Sequence, residues 1–244
     1  MIDGERVAIV TGASRGIGRA IASRLAVSGM AVIVSHAGPP DDAKGLVGEI
    51  NATGGRARAV QADVSSATEM RTLFDAAERK FGSVVLANNA GIMRLTAVAN
   101  ADDDAFDRTV AVNLKGAFNG MREAAKRLRD GGWIVDVSSS VVALYQPWYA
   151  LCAATEAGVE AMTRILAMEL GPRGSTVNAV APGPVATELF LGANPPEQVA
   201  RIKAMNPFGR LGEPGDIASV VAFLAGPDGG WVNGQVLRAN GGIV

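Results

Sequence analysis

A doubly wound α/β fold, with a parallel sheet held between two layers of helices, is the architecture this chain predicts, on three observations. Short β-branched runs alternate with longer stretches at helical spacing along all 244 residues. The runs are apolar nearly throughout, as strands covered on both faces must be. Glycine-rich turns such as NATGG at 51–55 and GPRGS at 171–175 stand where helices must end. Strand–helix–strand order of this kind requires parallel pairing through right-handed crossovers.

The elements follow in order. RVAIV at 6–10 is a strand, and across a glycine turn a helix runs from Gly16 to Ser28. AVIVS at 31–35 precedes a helix around Ala43 to Ala52, and ARAVQ at 57–61 precedes one from Ala67 to Phe81. VVLAN at 84–88 is followed by a long helix near Asp103 to Arg129, and WIVDV at 133–137 by a helix beginning near Tyr149. TVNAVA at 176–181 leads into a segment punctuated by proline and glycine, then a helix opening at Asp216 and a last strand, QVLRA, at 235–239. The expectation is one three-layer domain over residues 1–244 with a seven-stranded sheet.

Composition narrows the function classes. The chain is 48% hydrophobic with a formal net charge of -1 and interleaved signs, so it offers no basic stripe for nucleic acid and no polybasic patch for a membrane. Cys152 is the only cysteine and His36 the only histidine, which leaves no disulfide framework and no thiolate or imidazole cluster for a metal. No apolar run approaches spanning length and no leader pattern opens the chain, so a cytoplasmic protein acting on a small molecule is expected.

The first strand runs directly into TGASRGIG at 11–18, with Gly12, Gly16 and Gly18 at the turn and the helix start. Strand, turn and helix N-terminus in this order make an anion site, because unpaired N–H groups face the ligand and glycine lets the backbone approach a pyrophosphate. Taken alone, the triplet also fits a merely tight strand–helix turn. It does not stand alone: Asp63 in QADV, NNAG at 88–91, Asn113 in VAVNLKG, the serines 138–140, PGPVAT at 182–187 and GRLGEPGDIA at 209–218 follow in order. This set resembles the short-chain dehydrogenase/reductase family over the whole chain, most closely its 3-oxoacyl-carrier-protein reductase-like branch, and implies a Rossmann-type sheet.

The resemblance implies a nicotinamide dinucleotide, with Ser14 and Ile17 beside the glycines. It sets Asp63 and Val64 at the adenine, Asn89, Ala90 and Gly91 along the ribose, and Pro182, Gly183, Val185 and Thr187 at the nicotinamide amide and diphosphate. The second strand ends Ser35–His36–Ala37 without the carboxylate that would bind a ribose 2′-hydroxyl, and Arg15 can reach the same corner, so NADP(H) is expected. His36 reads either as part of that corner or as an exposed loop residue.

In the resembled family a serine polarises a carbonyl, the tyrosine of a Tyr-x3-Lys motif donates a proton, the lysine holds the nicotinamide ribose while lowering the tyrosine pKa, and an asparagine completes a water relay. Asn113 and Ser139 match two of these positions. AATEAGVEAMTR, residues 153–164, aligns without a gap to the family's pattern and puts Cys152 at the tyrosine and Glu156 at the lysine. Four residues apart on a helix, the two share a face. A glutamate there raises the thiol pKa instead of lowering it, and a thiol is too short to replace a phenol. The expected function is therefore an NADP(H)-dependent ketoreductase, acting on ketones or 3-oxoacyl compounds, whose activity is weak or altered. A cofactor-binding regulator, and a non-redox enzyme using Glu156 or Tyr149 as acid or base, are the alternatives. Leu189, Phe190, Leu191, Met205 and Phe208 either cover an apolar, acyl-like substrate or pack a helix pair onto the core. The resemblance further implies a homotetramer.

Overall fold

The computed structural model of the protein describes residues 6–81 and 83–244. Seven strands form one all-parallel sheet: β1 Arg6–Val10, β2 Ala31–His36, β3 Arg56–Gln61, β4 Ser83–Asn88, β5 Trp133–Val137, β6 Thr176–Pro182 and β7 Val236–Ala239, in the spatial order β3-β2-β1-β4-β5-β6-β7. The order reverses between β1 and β4, where Val10 pairs with Ala87. In a doubly wound sheet, a ligand crevice opens beyond the strand ends at this reversal.

The apolar runs are buried for the reason their composition suggests. Every residue of β2 is buried, as are Val7 to Val10 of β1, because helices cover both faces. The edge strand β3 alternates exposed and half-buried residues instead. Helices α1 Gly16–Val27 and α2 Asp41–Ala52 follow the first two strands, and α3 Ala67–Phe81 follows the third. Ile21 and Leu25 of α1, Leu46 of α2 and Leu73 and Phe74 of α3 supply large buried side chains.

Several elements differ from the sequence expectation. The long helix divides into α4 Asp103–Thr109, a π-helical turn at Val110–Lys115 and α5 Gly116–Arg127. A four-residue helix, α6 Val141–Leu144, precedes α7 Ala150–Leu170. The punctuated segment folds as two short helices, α8 Glu188–Ala193 and α9 Pro196–Met205. The last helix, α10 Pro214–Ala225, opens two residues before Asp216, since Asp216 serves as the third helical residue of a capping box with Glu213. Among the described residues no helix is long and apolar enough to cross a membrane.

Candidate active site

The loop between β1 and α1 is tied to the end of β4. The Thr11 hydroxyl accepts the backbone N–H groups of Asn89 and Ala90 at 2.9 and 3.0 Å. In return the Asn89 amide donates to the carbonyls of Thr11 and Gly12 at 2.9 and 3.3 Å. Gly12 takes the left-handed conformation, with φ +63°, and a Cβ on Gly18 would lie 2.3 Å from the Gly12 carbonyl oxygen. Only glycines therefore close the turn this tightly. Arg15, the residue before α1, gives the helix no side-chain cap, so the N–H groups of its first turn remain for a ligand.

A cavity of about 470 Å³ extends from this loop across the strand ends to α8. Gly12, Ser14, Arg15, Gly16, Ile17 and Gly18 form one end, Asp63, Val64, Asn89, Ala90 and Gly91 one wall, and Pro182, Gly183, Val185 and Thr187 the other. The uncapped turn and glycine cradle fit the diphosphate of a dinucleotide. Ser35 and His36, expected here, do not line the cavity. Both are buried in β2, which runs one residue further than its sequence suggests, and His36 Nδ1 lies 2.8 Å from the Gly38 carbonyl. That also corrects the exposed-loop reading of His36. Ala37, Gly38, Pro39 and Asp42 form this corner instead.

Arg15 reaches across the mouth to Glu188, 3.2 Å away, with both side chains largely exposed. Asp63 accepts the Ser65 hydroxyl at 2.7 Å and its N–H at 2.9 Å, with Arg108 3.5 Å away. Partial burial opposes ionisation of Asp63, but the Ser65 bonds and the Arg108 charge outweigh it and hold the carboxyl below its usual range.

At the other end, Asn113, Ser139, Cys152 and Glu156 line the same cavity. Asn113 sits in the π-helical turn, where its side chain accepts the Ile92 N–H at 2.9 Å and donates to the Ile92 carbonyl at 3.0 Å. The two bonds hold the residues after β4 against the turn. Of the three serines, Ser140 binds the Ala181 carbonyl at 3.1 Å and Ser138 donates to Glu160 at 2.9 Å. Ser139 alone of the three bonds to neither a carbonyl nor a carboxylate; its oxygen accepts the Val141 N–H at 3.3 Å.

Cys152 is buried, and its thiol pKa is raised, first by burial and further by Glu156, against a backbone N–H at Arg94 that favours the thiolate. Glu156 is itself pushed up to about 8 by burial, with Glu160 and Asp136 adding to it. Asp136, wholly buried near the C-terminal end of β5, is pushed up to about 7 by burial, while hydrogen bonds from Asn88 at 3.2 Å and Thr163 at 3.0 Å favour its charge. The pair Asp136 and Glu160 belongs to no motif. The only signals for it were a carboxylate inside a buried strand pattern and a second glutamate one turn beyond Glu156. Tyr149 also lines the cavity, hydrogen-bonded to Asn194, with its phenol pKa raised chiefly by burial.

Residues 12–244 match the family model described as enoyl-(acyl carrier protein) reductase. An Arabidopsis thaliana protein named NADPH-dependent aldehyde reductase-like protein, chloroplastic, is 45% identical over 98% of this chain and 94% of its own length. A 3-oxoacyl-[acyl-carrier-protein] reductase of Staphylococcus aureus is 40% identical over 97% of both chains. Among solved structures, a short-chain dehydrogenase from Burkholderia cenocepacia in complex with NADP superposes with a TM-score of 0.92 at 36% identity, covering 97% of this chain and 96% of that one. With its glycine loop, π-turn asparagine and strand-end serine in one cavity, the chain belongs to the short-chain dehydrogenase/reductase family.

Proposed function

We propose that the protein is an NADP(H)-dependent reductase of small carbonyl-type substrates whose turnover of ordinary ketones is slow. One observation carries the second half of this reading: Ser139 and Asn113 remain at the cavity, while the buried thiol of Cys152 and the carboxyl of Glu156 stand where a phenol and an ammonium would act. Binding and orientation still bring a carbonyl to Ser139, but no group supplies the proton with the usual strength. General acid catalysis is worth a factor of about 10² to 10⁴, which sets the size of the deficit.

NADP(H) is favoured over NAD(H) by Arg15 at the cavity rim and by the uncharged Ala37, Gly38 and Pro39 after β2, against the carboxylate of Asp42 at the same corner. The relative named NADPH-dependent and the neighbour solved with NADP support the same choice. Replacement of Arg15 by alanine should weaken NADPH binding by roughly 1–3 kcal/mol, the scale of a charge-assisted hydrogen bond, and leave NADH binding nearly unchanged. Fluorescence titration reads both, and tighter NADH binding to the unmodified protein would overturn the assignment.

The catalytic half is tested by the double variant Cys152→Tyr/Glu156→Lys. Assayed beside both single variants on one ketone panel, it should gain about 10² to 10⁴ in NADPH-dependent rate. Each single change should gain much less, because groups that act as a unit are not additive. A double variant that binds NADPH and stays silent refutes the placement of the pair. A cytoplasmic location and a homotetramer complete the proposal.

A further inference from the structure

We propose that the cavity accepts its reducible carbon as an iminium, a protonated C=N group, rather than as a neutral carbonyl. The proposal rests on the reductase reading above and names its substrate class. Its basis is that Cys152, Glu156 and Ser139 all line one cavity.

Reduction of a carbonyl builds negative charge on oxygen, so it calls for a proton donor and gains from a nearby cation. An iminium reverses both demands. It enters with positive charge, and reduction removes that charge. Its carbon receives a hydride with the electron pair from the reduced nicotinamide, which becomes oxidised. The C=N π pair withdraws onto nitrogen, and the neutral amine then takes a proton from water. No proton crosses in the hydride step, so a phenol is dispensable and a small neutral thiol is tolerated. An anion beside the nitrogen holds the substrate, so the side chain at 156 should carry a carboxylate instead of an ammonium. One change of substrate accounts for both residues.

The surroundings of Glu156 agree. Glu156 lines the cavity, and among the described residues none hydrogen-bonds or ion-pairs with its carboxyl. Beneath it lie Asp136 of β5, held by Asn88 and Thr163, and Glu160 of α7, which accepts the Ser138 hydroxyl. Cys152 is the remaining titratable neighbour on its own helix. The packed α4 and π-helical turn contribute Arg108, drawn to Asp63, and the exposed Lys115. The other guanidinium of the cavity, Arg15, is engaged by Glu188. The floor therefore holds acids without a cation among the described residues. Burial and the two carboxyls push Glu156 up to about 8, so near neutrality it holds a proton that an arriving cation would displace.

The experiment compares 2-methyl-1-pyrroline with cyclopentanone as NADPH-dependent substrates of the unmodified protein, of Glu156→Gln and of Glu156→Asp. Calorimetric binding of the product amine, 2-methylpyrrolidine, is measured without NADPH in two buffers of different ionisation enthalpy. The expected results are an imine-to-ketone rate ratio of at least 100, a tenfold or greater fall of that ratio in Glu156→Gln with partial recovery in Glu156→Asp, and amine binding that releases a proton only when Glu156 is present. A ketone reduced as fast as the imine, or amine binding indifferent to Glu156→Gln, overturns the iminium proposal. Intact NADPH binding in parallel titrations then leaves the reductase reading standing. Absence of NADPH binding overturns the reductase reading and the proposal with it.

Discussion

At the scale of single residues, the protonation of Glu156 governs more than substrate choice. Its carboxyl pKa rises from 4.5 to about 8 on folding, and that of Asp136 from 3.8 to about 7. Between those values the folded protein holds protons that the unfolded chain releases, so the stability these groups contribute is complete below about pH 4 and is lost as pH rises to about 8. A melting temperature lower at pH 8.5 than at pH 6, by roughly 3–10 °C, is expected from thermal unfolding at the two values. Glu156→Gln removes one of the two groups and should shrink the difference; an unchanged difference would show that Glu156 titrates normally. Arg15 offers a second test. Its exposed pair with Glu188 is worth about 0–1 kcal/mol, so Glu188→Gln should free the guanidinium and tighten NADPH binding by a factor of up to about 5. Fluorescence titration measures it, and weaker binding would mean that Glu188 itself helps to hold the cofactor.

At the scale of elements, the cradle for the diphosphate depends on contact between two loops. A methyl on Gly18 cannot be absorbed by rotation of a flexible side chain, because the atom it meets at 2.3 Å is the Gly12 carbonyl oxygen. Gly18→Ala should therefore displace the turn and weaken NADPH binding at least tenfold, while far-UV circular dichroism keeps its helical signal. This element is legible in the sequence, since the strand–TGASRGIG–helix order carries its own mechanism. Strand positions were legible because buried parallel strands are apolar on both faces, and α3 because its apolar residues keep helical spacing. The π-helical turn at Val110–Lys115 was not legible. Its sequence continues a helical pattern, while the two bonds between Asn113 and Ile92, 21 residues away in the chain, form only in the fold. His36 was misread for a related reason: β2 is prolonged by pairing with Gln61 of β3, a long-range contact that local sequence does not show. Cys152 and Glu156 line the cavity, and Glu160 follows them one turn on in α7, but Asp136 comes from β5 and joins these acids only in the fold.

At the scale of the whole molecule, α3, α4, α5 and α7 cover one face of the sheet, and the outer surface of that layer is unusually apolar. Phe106 on α4, Phe118 on α5, and Ile165 and Met168 on α7 are all exposed, Met168 by 81%. Single exposed apolar side chains are ordinary on a protein surface; several on adjacent helices mark an interface. The helices touch one another, α5 and α4 each packing on α7, so these side chains belong to one neighbourhood. A homotetramer would use this layer for one of its two-fold contacts, with each copy presenting the same helices to its partner. Light scattering at micromolar concentration should then give a mass near four times 25.0 kDa. Replacement of Ile165 and Met168 together by aspartate should split the assembly to a smaller species without unfolding it, because neither side chain contributes to the core. The catalytic cavity opens at the strand ends and not on the outer surface of this layer, so NADPH binding should survive the split within about threefold, the additivity expected of distant sites. A monomer in the unmodified protein defeats the assembly proposal outright, and a tetramer that persists in the double aspartate variant would move the interface to another face.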